Sequence, residues 1–351
     1  MSSVLNITVE STTLVRILAL GFTAFGLAML ITPLYTTLAY KYQWWKKPRE
    51  TTTTGEKAKI FTALHAEKHR RHIPTMAGII AVISVAIVTL LFNFSRLTYL
   101  PLLAMVGAGG IGLIDDIINL KGNGSGVAGM RTKMKFMSIL TIAIVGGLYF
   151  YFRLDYHTIH MPLQFLAHNY TWDIGWLMIP LFALVIVATA NAVNISDGLD
   201  GLAGGLLVSA FAAFAVIAFF EQKYGVAGFC VAMIGALLSY VWFNIFPARF
   251  FMGDVGSFAF GTALGVVAML TDTVVLLPII GIVFVAEAGS SSIQIMSKKL
   301  RNGKKVFKIA PIHHHFEALG WPEAKVTMRF WVIGQVAAVI GLTLFMLGHY
   351  L

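Results

Sequence analysis

Four short stretches hold most of the side chains able to do chemistry. "GLIDDIIN" carries Asp115 and Asp116, and "NAVNISDGLDGLAGG" carries Asn191, Asn194, Asp197 and Asp200. "FNIFPARFFMGDVGS" carries Asn244, Phe251 and Asp254, and "APIHHHFEALGWPE" carries His313, His314 and His315. Each borders a long apolar run, where carboxylates are costly and tend to mark function. Aspartates gathered at one face, with no cysteine beside them, form a hard-oxygen donor set that suits Mg2+, with Mn2+ as a substitute, better than zinc. Magnesium usually takes one or two carboxylates, several waters and a substrate phosphate, so a diphosphate substrate fits. Asn191, Asn194, Asp197 and Asp200 follow one another at intervals of three, which puts neighbours on one face wherever the chain is helical.

Each motif also has a plainer reading. Asp197 and Asp254 precede apolar helices and could be N-caps. Asp115 and Asp116 could be interfacial residues at a helix end, although acids there oppose the macrodipole and call for another cation. Three consecutive histidines cannot all face one centre, and a helical zinc site prefers a spacing of four. Phosphate contact by one or two of them, with a structural role for the third, suits the triplet better. Glu287, in "VFVAEAGSSSIQ", lies within an apolar run and is a functional candidate by default, or the polar end of a broken helix.

The elements that must position these residues follow from composition. Of 351 residues 58% are hydrophobic and only 12% charged, about half the charge of a soluble chain. The pattern predicts an all-α polytopic integral membrane protein with about ten transmembrane helices, each needing about 20 apolar residues. The predicted spans are Ile17–Tyr40, Pro74–Phe94, Tyr99–Ile114, Phe136–Phe152, Ile174–Ala192, Leu199–Phe220, Gly225–Phe246, Val255–Leu270, Thr273–Met296 and Thr327–His349. With these spans, 22 of the 26 Lys and Arg fall on one side, leaving Arg16, Arg96, Arg153 and Lys223 on the other. That asymmetry places both termini outside and all four motifs at the cytoplasmic face. One transmembrane domain spans 1–351, with cytoplasmic loops at about 41–73, 115–135, 193–198, 247–254 and 297–326.

The net charge of +10 therefore belongs to cytoplasmic loops and not to nucleic-acid binding. Most basic residues anchor the loops. A minority, among Lys68, Arg70, Arg71, Lys133 and Lys135, should meet phosphate at the inward-facing starts of helices. The lone Cys230 excludes a disulfide framework and reads as a packed thiol. The N-terminus lacks a basic n-region and a small-residue cleavage site, so no cleaved signal peptide is expected. His157, His160 and His168 fall in the sizeable outer loop and receive no function.

Taken together, "NAVNISDGLDGLAGG", "FMGDVGS" and "PIHHHFE" closely resemble the polyprenyl-phosphate N-acetylhexosamine-1-phosphate transferase superfamily. The resemblance runs from Ile73 to Trp331, and the histidine triplet favours the branch acting on the muramoyl-pentapeptide sugar. It implies UDP-N-acetylmuramoyl-pentapeptide and undecaprenyl phosphate as substrates, lipid I and UMP as products, a magnesium requirement, the bacterial cytoplasmic membrane, and a homodimer. It also implies Asp115, Asp116 and Asp254 as catalytic acids, with Asp254 and Asp197 toward the metal. Asn194, Asp197, Asp200, Phe251, Lys135, His313, His314 and His315 match substrate-side positions. The sequence departs from the family at Asn119, where lysine is usual, and at "HIPTMAG", where "GTPTMGG" is usual.

The expected reaction is direct attack by the lipid phosphate on the sugar-bearing phosphorus. The second pKa of a phosphate monoester is about 6, so the nucleophile is largely ionised without a strong base. A phospho-aspartyl intermediate is the rival path. Two other functions compete: a UDP-N-acetylglucosamine transferase, and a cation-coupled transporter, whose site would lie near the bilayer midplane.

Overall fold

The apolar runs close into helices whose shared small residues let them pack. The structure is a computed structural model describing residues 2–45, 71–121, 129–160 and 171–350. Expectations placed on Lys68, Arg70 and His168 lie outside the described residues. In order, the helices are α1 (Ser2–Lys41), α2 (Gly78–Phe92), α3 (Tyr99–Lys121), α4 (Thr132–Leu154), α5 (Met178–Ser196), α6 (Leu202–Phe220), α7 (Tyr224–Asn244), α8 (Gly253–Leu270), α9 (Leu277–Ile280), α10 (Ile282–Leu300), α11 (Ile312–Ala318) and α12 (Glu323–Tyr350).

Eight of these are long and apolar enough to cross a bilayer, and the bent pair at Gly281 makes a ninth if counted as one span. The predicted second span is only the 15-residue α2, about 22 Å at 1.5 Å per residue, short of a hydrocarbon core of about 30 Å. The predicted ninth span is broken: Val274–Ile280 and Ile282–Leu300 meet at 79°. α3 runs beyond its predicted end at Ile114 to Lys121, so Asp115 and Asp116 sit inside its last two turns. The segment between α4 and α5 also holds a feature that apolar periodicity could not signal, an antiparallel pair of three-residue strands, Thr158–His160 and Thr171–Asp173.

α8 is the hub. Its small residues (Gly253, Gly256, Ala259, Gly261, Ala263 and Gly265) let α2, α3, α5 and α6 approach closely, as is usual where lipid supplies no hydrophobic drive between helices. Contact with α3 is the most intimate. A Cβ on Gly112 would stand 2.2 Å from the backbone oxygen of Asp254. Backbone cannot yield as a side chain does, so only glycine fits there. Around this hub α1 packs on α7, α4 on α5, and α12 on α6. The outward faces are apolar: Phe22 is 79% exposed and Trp242 71%. Such a surface suits lipid and not water.

Candidate functional site

Four helix ends meet at one point. Lys135, in the first turn of α4, donates to Asp115 Oδ2 at 2.8 Å and to Asp254 Oδ2 at 2.6 Å. Asp115 lies near the end of α3 and Asp254 in the first turn of α8. The other Asp254 oxygen faces the Asn194 amide at 3.3 Å, and that amide also reaches Ser257 Oγ at 2.8 Å. Asp115 receives two more hydrogen bonds, from the Met130 amide to Oδ1 and from the Asn119 side chain to Oδ2. The Lys135 ammonium lies 5.3 Å from the Phe258 ring centre. Two carboxylates and one ammonium carry a net charge of −1. The N-terminal ends of α4 and α8 bring positive dipole ends to the same place. Asp115 is almost fully buried, while Lys135 and Asp254 keep some exposure.

The five aspartates do not form one cluster. Asp116, fully buried, turns its Oδ2 to the Val255 amide at 3.1 Å and so supports the start of α8. Asp200, also buried, accepts from the Ala248 amide at 2.9 Å, while its own amide donates to Glu323. Asn244 joins the same knot, accepting from the Gly201 amide and donating to the Phe250 carbonyl. These contacts tie the α5–α6 turn to the α7–α8 loop. A second stitch pairs the Phe251 amide with Pro74 O and the Ala77 amide with Phe251 O, holding the "HIPTMAG" segment against "FFMGD". Neither Asp197 nor Asp254 is an N-cap. Asp197 follows the last turn of α5, and no side chain caps α6 or α8.

The rings of His313 and His314 meet edge to face with centroids 4.1 Å apart, whereas that of His315 turns to Phe307. His313, fully buried, meets Glu287 Oε2 through Nδ1 at 2.7 Å. His314 meets Glu317 Oε2 at 2.6 Å, and His315 accepts the Lys308 amide through Nδ1. Beside α5, α8 and α10 lies a cavity of about 570 Å³ with an apolar wall that includes Leu181, Val185, Leu264 and Phe284. Its lining reaches Ala192 and Val193, adjacent in sequence to Asn194. Ser257, Met130 and Glu323 are site residues that their types alone did not single out. Ser257 is the last residue of the "FMGDVGS" motif, but serine in an apolar run is too common to stand out.

Burial, reinforced by the neighbouring His313, pulls the His314 ring down from its ordinary 6.5 to about 4. A pKa below that of the unfolded chain means the folded state binds fewer protons between those values. This contribution to stability is complete above pH 6.5 and is lost as pH falls toward 4. The melting temperature of the detergent-solubilised protein should therefore drop across that window, and H314Q should flatten the drop. An equal drop in H314Q would contradict the assignment.

The carboxylates of Asp115 and Asp254 offer oxygen donors of the kind a hard divalent cation takes, and they exceed the one ammonium they share. Among the described residues no three His, Cys, Asp or Glu side chains converge as a ready metal cage. Asp254 and Asp115 are the carboxylates brought together at Lys135, and Asp197 lies three residues beyond Asn194.

Comparison with known proteins places the chain among relatives. The family model described as glycosyl transferase family 4 matches residues 97–272, which include Asp115, Lys135, Asn194 and Asp254. A phospho-N-acetylmuramoyl-pentapeptide-transferase of Chloroflexus aurantiacus is 38% identical over 340 residues, covering 94% of this chain and 89% of the relative. The protein of that name from Geobacillus thermodenitrificans is 36% identical over 326 residues, covering 91% and 94%. One from Listeria monocytogenes is 38% identical over 272 residues, covering 76% and 82%.

Proposed function

The chain belongs to glycosyl transferase family 4 and, within it, to the phospho-N-acetylmuramoyl-pentapeptide-transferases, and from that premise we propose how it works. It transfers phospho-N-acetylmuramoyl-pentapeptide from UDP-N-acetylmuramoyl-pentapeptide to undecaprenyl phosphate, giving lipid I and UMP. The observation that carries the reading is the Asp115–Lys135–Asp254 bridge at the meeting of four helix ends, next to an apolar cavity. A long isoprenoid chain needs an apolar channel that ends at a polar phosphate site. The apolar cavity, whose lining reaches Ala192 and Val193 next to Asn194 in sequence, supports that reading.

An oxygen of the lipid phosphate attacks the sugar-bearing phosphorus, the bond from that phosphorus to the bridging oxygen breaks, and UMP leaves with that oxygen. Lys135 neutralises charge as it builds on the phosphoryl oxygens, the main task in phosphoryl transfer. Asn194 and Ser257 hold Asp254 in register. Asp254, with Asp115 or Asp197, would hold Mg2+, which when bound supplies further charge neutralisation on the diphosphate. Direct attack is favoured over a phospho-aspartyl path because both oxygens of Asp115 are already engaged by Lys135, Asn119 and Met130. Asp116 and Asp200 act by holding loops, and His313, His314, His315 and Phe251 belong to the sugar-diphosphate side of the site.

The same reading includes ten crossings with both termini outside, which the 22-to-4 division of Lys and Arg supports. The active face is then cytoplasmic. A homodimer rests on the family resemblance alone. The test is purified protein with undecaprenyl phosphate and Mg2+, offered UDP-N-acetylmuramoyl-pentapeptide or UDP-N-acetylglucosamine. UMP should appear with the first donor. Release with the second alone would move the assignment to the other branch.

A further inference from the structure

We propose that Glu287 is a positioning residue: it holds His313 by its Nδ1 side and thereby turns Nε2 against the Gly198 turn that carries Asp197. The proposal rests on the transferase reading for what the turn does, and on geometry for the rest. Glu287 projects from α10 and His313 from α11, 26 residues apart in sequence. Their side chains meet at 2.7 Å with no exposure of either. Oε1 of Glu287 makes no hydrogen bond among the described residues. The carboxylate also faces the backbone amides of Ile312 and His313 at the start of α11, yet a buried acid remains costly to any fold. An apolar residue of similar size would serve α10 better, so the acid is explained by what it does to His313.

With the carboxylate as the accepting partner, the imidazole presents Nδ1–H to it. This fixes the ring plane and makes Nε2 the opposite, working end, as a carboxylate does for a catalytic histidine. Where Nε2 points is fixed by glycine. A Cβ on Gly198 would stand 2.3 Å from it, so the ring lies directly on the turn between Asp197 and Leu199. On the far side of that turn Asp200 is tied to the Ala248 amide. The turn is thus clamped between the Glu287–His313 pair and the α7–α8 loop. The carboxylate of Asp197 is carried on the clamped segment, three residues after the Asn194 that holds Asp254.

E287Q keeps size and shape but can offer Nδ1 either a donor or an acceptor, which releases the tautomer. Its kcat should fall about 10–100-fold, the usual cost of losing a partner that orients a functional histidine. KM should stay within about threefold, because the group acts on positioning and not on ground-state binding. Melting temperature should not fall. In an H313N background E287Q should add no further loss, since the effect passes through that ring. A second measurement needs no activity: nitrogen spectra of protein labelled at histidine, with the His313 signal assigned by its disappearance in H313N. The proton should sit on Nδ1 in the parent protein, and E287Q should show a mixture of tautomers. A parent protein protonated on Nε2 alone would overturn the proposal, as would E287Q with full kcat or a loss additive with H313N. These spectra are recorded without substrate. Their failure removes the role of Glu287 and leaves the transferase reading standing, while absence of UMP release by the parent protein removes the latter and leaves the tautomer.

Discussion

K135M is expected to lower kcat by about 10²–10³-fold, the loss typical when one preorganised charge is taken from a transition state. Methionine keeps much of the apolar stem but removes the ammonium that lies near Phe258 and is, among the described residues, the only one shared by Asp115 and Asp254. The substitution also leaves the buried Asp115 without its cation, which is destabilising by itself. The double variant K135M/D115N separates the two effects. It should recover melting temperature toward that of the parent protein while staying inactive. If activity returned with stability, Lys135 would be only a structural counter-ion. Steady-state UMP release and thermal unfolding of the same detergent preparations supply both readings.

The second large effect is expected at Asp254. D254N keeps an oxygen for Lys135 or for the Asn194 amide but gives up the charge, and α8 continues to start at the same place because Asp116 supports it through the Val255 amide. kcat should fall about 10²–10³-fold, and the Mg2+ concentration for half-maximal activity should rise about 10–100-fold, as when a ligand or its support is removed. A variant with reduced kcat and unchanged magnesium dependence would separate Asp254 from the cation and leave it as a partner of Lys135 alone. Titrating activity against Mg2+ in parent and variant decides between these.

Much of this site was legible before any coordinates, and what was missed shares one physical cause. Asp115, Asp254, Asn194 and Lys135 were all singled out, because polar groups at the edges of apolar runs are conspicuous and the family resemblance put Lys135 beside them. Their bridge could not be read, since Lys135 and Asp254 are 119 residues apart and meet only because α3, α4 and α8 converge. The same applies to direction. Asp116 and Asp115 are neighbours in sequence, yet one points to the amide of Val255 and the other to an ammonium. Adjacent residues on a helix diverge by about 100°, and which side faces the site depends on packing. Asp200 is another acid whose type suggests chemistry but whose contacts are with backbone.

The spans show a similar division. Long apolar runs predicted α6, α7 and α8 to within three residues at each end and α5 to within four, but composition could not separate a straight crossing from one that breaks. The bend at Gly281 turns α10 by 79° and brings Glu287 within reach of His313. A hydropathy count across Thr273–Met296 averages over that break. The extension of α3 to Lys121 was hidden for the opposite reason. Its last turns are polar, so the apolar run ends at Ile114 while the hydrogen-bonded helix continues.

The bond that breaks defines the reaction. Donor labelled at the sugar-bearing phosphorus, incubated with undecaprenyl phosphate and Mg2+, distinguishes phospho-sugar transfer from transfer of the sugar alone. The mechanism built on Asp115, Lys135 and Asp254 predicts that the label moves entirely into the lipid product, one equivalent for each unlabelled UMP released, and that K135M abolishes both together. Label retained in soluble UDP, with an unlabelled sugar on the lipid, would contradict it.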